Sequence, residues 1–213
     1  MSNTFAHRRQ DVVSLQLSIK EIKERWPALF DVSQVNAEFH RITTVNLEAK
    51  FMFMLDHYTP KLLTIFQAKK GAAGERHRTD MNILLQSGIP IEKTREVVIR
   101  CLIDHLGEDV GALIKEFENF DDSAVNVEEE LAAETMALYL VRDEDGQVRD
   151  VGIVIERSIV GLLNHLGDLS RACCYLLGLT VKYIFEVFQK MLVEVDAGNL
   201  STKVQRLKNN VMI

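Results

Sequence analysis

Ala137-Leu138-Tyr139-Leu140-Val141 runs into Asp143-Glu144-Asp145-Gly146, and Val151-Gly152-Ile153-Val154-Ile155 follows. Two apolar runs on either side of an acidic turn that ends in glycine are the pattern of a β-hairpin, and the second run is rich in β-branched side chains. This stretch separates a mixed fold from an all-helical one, because the remaining apolar patterns have helical spacing. Ile159 to Leu163 fits either a third strand or the first turn of the next helix. The predicted class is mainly α (α+β): a multi-helix N-terminal unit followed by a small β-hairpin and C-terminal helices.

Upstream of the hairpin, residues 116–134 hold Glu118, Asp121, Asp122, Glu128, Glu129 and Glu130 with no basic residue between them. Such a run reads as a solvated connector. Before it the chain is helical. Ser18 and Glu21 form a capping box, and Ile19, Ile22 and Trp26 share a face until Pro27 stops the helix. A second helix is predicted from Ser33 with Val35, Phe39 and Ile42 inward. A third spans Val45 to Asp56 through Leu47, Phe51, Met54 and Leu55. Thr59-Pro60 predicts a restart, with threonine as cap and proline at the first helical position. That helix carries Leu62, Leu63 and Phe66 and stops at Gly71. Further helices are predicted from Gly74 to Gly88, over Ile91 to Leu106, and around Leu113, Ile114 and Phe117.

Downstream, Asp168 can cap a helix through Leu169, Cys173, Leu176 and Leu177. Another follows with Ile184, Phe185, Phe188, Met191 and Leu192. Leu200, Val204, Leu207 and Val211 give a heptad-like tail, which suits packing on the parent domain and is also of the kind that forms a homodimer contact. The chain therefore divides into a flexible N-terminus (1–17), a helical unit (18–118), an acidic linker (119–134), and a hairpin with C-terminal helices (135–213) that can pack on the helical unit as one domain.

The composition excludes several classes. With 213 residues, 47 % of them hydrophobic and 26 % charged, the chain can build a core without disulfides or metals. A net charge of -6 gives no general attraction to nucleic acid or anionic membranes. Cys101, Cys173 and Cys174 are odd in number and lack a CxxC spacing, so they read as reduced core thiols of an intracellular protein. Nucleus and cytoplasm are equally compatible. No secretory signal or membrane-length apolar run is present, and no membrane contact is expected.

One block is specific. Glu24-Arg25-Trp26-Pro27-Ala28-Leu29-Phe30, then Gln34-Val35-Asn36-Ala37-Glu38-Phe39 and Arg41-Ile42-Thr43-Thr44-Val45-Asn46-Leu47-Glu48, resembles the shared region of fish proteins of the sterile alpha motif domain-containing protein 3-like family. Asp150-Val151-Gly152-Ile153-Val154-Ile155-Glu156, Leu176-Leu177-Gly178-Leu179 and Val204-Gln205-Arg206-Leu207-Lys208 extend the resemblance over roughly residues 21–208. About twenty residues precede the Trp-Pro block, too few for the sterile alpha motif itself, so the resemblance implies neither that module's interactions nor any catalytic residue.

Chemistry is sparse. Asp104-His105 and Asp56-His57 are neighbours in sequence, and adjacent helical side chains point about 100° apart, so neither is expected to pair. Each histidine is expected at a helix end in a surface or capping role, and His165 in a turn. No HxxxH or HExxH spacing occurs, and Asp143-Glu144-Asp145-Gly146 only imitates a calcium loop. No catalytic, metal or cofactor site is expected. Lys69-Lys70-Gly71-Ala72-Ala73-Gly74-Glu75-Arg76-His77-Arg78 is a glycine-bounded connection flanked by cations. A GxxG between helices clamps nucleic-acid backbones in KH domains, but no strand is predicted before the first helix here, and no Walker-type Gly-Lys-Ser/Thr follows. Lys69, Lys70, Arg76 and Arg78 are the candidate anion or nucleic-acid contacts. The expected function is a non-enzymatic protein-protein interaction or adaptor role with a protein partner; the alternative is nucleic-acid contact through residues 69–78.

Overall fold

The computed structural model describes residues 18–25, 27–118, 129–162, 168–179, 206–207 and 209–210. The expectations for the N-terminus, Trp26, residues 119–128, His165 and the helix around Phe185 lie outside these residues.

Helix α1 (Ile19–Arg25) starts on the predicted capping box: Glu21 Oε2 accepts from the Ser18 amide at 2.8 Å, and the Glu21 amide donates to Ser18 Oγ. A 3-10 turn at Pro27–Phe30 follows. Helix α2 (Val32–Thr43) begins one residue before the predicted start at Ser33 and is capped by Asp31, whose carboxylate takes both the amide and the hydroxyl of Ser33.

Helix α3 (Leu47–Ala68) corrects the predicted restart at Thr59-Pro60, since it runs unbroken through Pro60. An interior proline costs about 3 kcal/mol. Along one face this helix buries Leu47, Phe51, Met54, Leu55, Tyr58, Leu62 and Phe66. At about 1.5–3 kcal/mol for each large side chain, that burial outweighs the lost hydrogen bond. The Thr59 hydroxyl donates to the Leu55 carbonyl within the same turns instead of capping a new helix.

Helices α4 (Gly71–Met81) and α5 (Ile91–His105) follow, linked by a 3-10 turn at Asn82–Leu85. Asp56 meets Arg95 and Phe66 meets His105, each pair 39 positions apart, so α3 and α5 run parallel with α4 returning between them.

After a single helical turn, α6 (Val110–Leu113), the predicted helix around Leu113 and Phe117 proves to be strand β1 (Ile114–Glu118). The strand sits between two apolar clusters. Ile114 faces the helices, while Phe117 packs toward Leu131, Tyr139 and Val154 on the opposite side. A strand wanted on both faces does not alternate, so its pattern imitates a helix. Leu131, inside the acidic stretch expected to be solvated, is itself buried.

Strands β2 (Met136–Arg142) and β3 (Val148–Ile155) form the predicted hairpin, with Tyr139 opposite Gly152. A Cβ at position 152 would fall 2.2 Å from the Tyr139 ring, which therefore lies over bare backbone. Strand β4 (Ser158–Leu162) resolves the Ile159 ambiguity as sheet. The order is β1-β2-β3-β4, with β1 parallel to β2 and the rest antiparallel. The β3–β4 turn places Glu156 at φ 49° and Arg157 at φ 64°, left-handed values without a glycine. It is held from outside: their amides donate to the Thr135 and Glu134 carbonyls, and the Glu156 carboxylate accepts from the Ile19 amide. Lys23 of α1 donates to the Ile159 carbonyl, so α1 is fastened to β4.

Helix α7 (Leu169–Leu179) is capped by Asp168 as predicted and is buried along most of its length. Its Tyr175 hydroxyl donates to Glu48 at 2.6 Å and accepts from Asn36, joining α2, α3 and α7. Cys101, Cys173 and Cys174 are free and buried. Leu207 of the tail lies in the same apolar cluster as Phe51, Ile99, Leu138 and Leu176. Helices dominate and the small sheet completes a mixed α+β arrangement.

Polar groups join α5 to the sheet. Glu96, 5 % exposed, is within 3.1 Å of both Lys93 and Arg100 and 2.5 Å from Arg142 of β2. Burial pushes its carboxyl up, but Arg100, Arg142 and Lys93 together hold it below the ordinary range. Arg100 and Arg142 also meet Glu116 of β1.

Two outcomes follow from these arrangements. Glu96→Ala leaves two guanidinium groups facing an empty site and should lower stability by about 3 kcal/mol in urea unfolding at pH 7. In the parent, this carboxyl's contribution should be whole above pH 4.5 and be lost as pH falls below it, because the unfolded chain takes up the proton first. Arg157→Gly relieves a left-handed residue and should raise stability by about 0.5–1 kcal/mol, read as a higher melting temperature.

Candidate functional site

The basic connection 69–78 is a tight corner between two helices. Lys69 ends α3 and Lys70 is the N-cap residue of α4, which has no side-chain cap and no acid in its first turn. Gly71 takes φ +77°, a left-handed value that joins the helices, with open space around it. Gly74 is different: a Cβ there would fall 1.9 Å from the Lys69 carbonyl oxygen. That oxygen also accepts from Arg78 Nη1 at 3.1 Å. The GxxG spacing thus serves one bend and one close helix approach.

The four candidate cations divide into two pairs. Arg76 binds Asp104 of α5 through Nε at 3.1 Å and Nη2 at 2.5 Å, and Arg78 pairs with Glu75 at 2.7 Å. Lys69 and Lys70 sit at the positive end of the α4 dipole. The structure therefore brings Lys69 and Lys70 to the corner and ties Arg76 and Arg78 to acids.

Behind this corner lies a cluster that the sequence reading missed. His77 is 0 % exposed, its Nε2 lies 2.8 Å from Asp104 Oδ2, and neither ring nitrogen has hydrogen-bond geometry to a partner among the described residues. Phe66, His77 and His105 form a triangle of rings with centroids 5.2, 5.6 and 6.0 Å apart. Asp104 does not pair with its neighbour His105, as expected; its partner is His77, 27 positions earlier. His105 is half-buried rather than a surface cap. The available signal was the spacing Gly74, His77, Met81, which marks the inward face of α4.

A histidine beside a carboxylate is the arrangement of a general base, but a base must reach the proton it removes. His77 is closed in by Phe66, His105 and Asp104, so this pair joins helices. The outward His57 stacks on Phe53 at 6.0 Å. Burial pushes the Cys101 thiol up to about 12 and raises Cys173 and Cys174 as well, which leaves little thiolate for nucleophilic or redox work. One small cavity, with room for about one water, is lined by Ile103, Leu113, Ile114, Met136, Ala137, Leu138, Cys173 and Leu176. Among the described residues, no three His, Cys, Asp or Glu side chains converge as a metal site, and no helix is long and apolar enough to cross a membrane.

Gly74→Ala should destabilise by about 2–3 kcal/mol, because rigid backbone would have to move, whereas Gly71→Ala should cost about 1 kcal/mol for its dihedral alone. Chemical unfolding of the two variants checks the order; a Gly74→Ala variant no less stable than Gly71→Ala would count against the close approach at the Lys69 carbonyl.

No curated protein and no solved structure matches the chain. Residues 1–31 match the family model described as Sterile alpha motif domain-containing protein 3, helical domain. The match takes in α1 and the Glu24-to-Phe30 block that carries the resemblance read from the sequence. Over that stretch the chain is similar to the helical domain of the sterile alpha motif domain-containing protein 3 family.

Proposed function

We propose that the protein is a non-enzymatic, intracellular interaction or adaptor protein. The supporting observation is how its reactive side chains are used. His77-Asp104, Arg95-Asp56 and the Glu96 group each join one helix to another element, and the thiols are enclosed. Large apolar side chains remain outside: Phe53 is 64 % exposed, Ile91 49 % and Leu85 83 %. The parallel register of α3 and α5 sets Phe53 and Ile91 at nearly the same level, beside the Asp56-Arg95 pair. A second copy docking through the C-terminal helix is one form it can take, although Leu207 of that helix is already buried within the chain.

Affinity capture from cells of the source, with the parent and with Phe53→Ser/Ile91→Ser, tests the proposal. A protein retained by the parent and lost by the variant, at unchanged melting temperature, is the expected outcome. Turnover of a small molecule by the purified chain would overturn it.

Contact with nucleic acid is the second reading, favoured by the uncapped, acid-free start of α4 beside Lys69 and Lys70. With Arg76 and Arg78 tied to acids, duplex binding through two lysines should show a log-log salt slope of about -2 and vanish when both become alanine. Absence of binding at low salt dismisses it.

A further inference from the structure

Helices α3, α4 and α5 each contribute one ring to the triangle of Phe66, His77 and His105. We propose that this triangle is an acid-operated latch: a proton on the His105 ring loosens α4 from α3 and α5 and frees Arg76 from Asp104.

The geometry carries it. A neutral imidazole packs as an aromatic ring, and His105 sits 5.6 Å from Phe66 and 6.0 Å from His77. Its buried Nδ1 has no hydrogen-bond partner among the described residues, so that nitrogen finds no acceptor when the ring is charged. The charges that bear on it are Lys69 at the end of α3, His77 on α4 and Asp104 on its own helix. Asp104 is the acid that would compensate, but its two oxygens already face Arg76 and His77. Asp80 of α4 lies in the electrostatic reach of the same Arg76, His77 and Asp104 and is itself held above the usual carboxylate range, first by desolvation. A positive ring would thus sit among Lys69, His77 and Arg76 with its natural counter-ion engaged.

Burial first, then Lys69 and His77, hold His105 down at about 4 from its ordinary 6.5, against the pull of Asp104. The unfolded chain takes up this proton before the folded one does. The stabilisation is therefore whole above pH 6.5 and is lost as pH falls toward 4. Of the three helices, α4 has the weakest hold. It has 11 residues, no side-chain cap at Lys70, and a buried face of only Gly74, His77 and Met81. It is the helix that local opening should release.

Amide hydrogen exchange of the full chain between pH 7.5 and 5, corrected for the intrinsic rate at each pH, reads the latch. Protection of residues 71–81 should fall about tenfold by pH 5, with α5 changing less, and His105→Phe should keep the ring packing and remove the response. Flat protection of α4 in the parent, or an undiminished fall in His105→Phe, overturns the proposal. Should that variant not fold, the NMR titration of the His105 ring proton in the parent decides. A midpoint well below 6.5 that moves with α4 amide shifts supports the latch; a midpoint at 6.5 or above ends it.

Discussion

Enclosure of α5 is the constraint from which much of the structure follows. Glu96, Val97, Val98 and Ile99 are four consecutive buried residues, and at about 100° each they cover the whole circumference of the helix. Where the helix is surrounded in this way its polar groups have little access to water, and several find partners in the elements packed against it. Arg95 reaches Asp56 on α3, Asp104 meets Arg76 and His77 on α4, and Glu96 meets Arg142 on β2. Ion pairs of this kind add little net stability over apolar replacements, while a lost partner is expensive. Apolar burial supplies the free energy, and the charges fix which neighbour lies on which side.

Elements governed by local rules were legible in the sequence. Ser18 with Glu21, Pro27, Asp168 and the acidic hairpin turn all act as the residues themselves dictate. Elements governed by tertiary burial were not. Pro60 signals a break, yet seven buried side chains on α3 carry the helix through it. Ile114 and Phe117 have helical spacing but pack into clusters on opposite sides of a strand. Glu156-Arg157 lacks the glycine or asparagine of a tight hairpin turn, because its strain is supported by carbonyls of residues 134 and 135, far outside the local window.

The candidate site shows the same division. Lys69, Lys70, Arg76 and Arg78 are visible as a basic run, but only the fold reveals that two of them are engaged and that Gly74 answers to the Lys69 carbonyl. His77 was hidden by its company: between two arginines it looks solvated, whereas its i+4 relation to Met81 and i+3 relation to Gly74 turn it inward. Asp104 and His105 are adjacent in sequence and yet serve different neighbours.

Strand β1 pairs in parallel with β2, which the chain reaches only after the whole acidic stretch. During synthesis β1 therefore emerges as an edge before its hydrogen-bonding partner does. At about 5–20 residues per second, the roughly two dozen residues up to Arg142 take on the order of one to five seconds to be added. Over that interval Glu96 and Arg100 are present without Arg142, and the segment that follows the open strand in sequence is densely acidic. Repulsion among such segments on neighbouring nascent chains would keep those unfinished edges from finding one another.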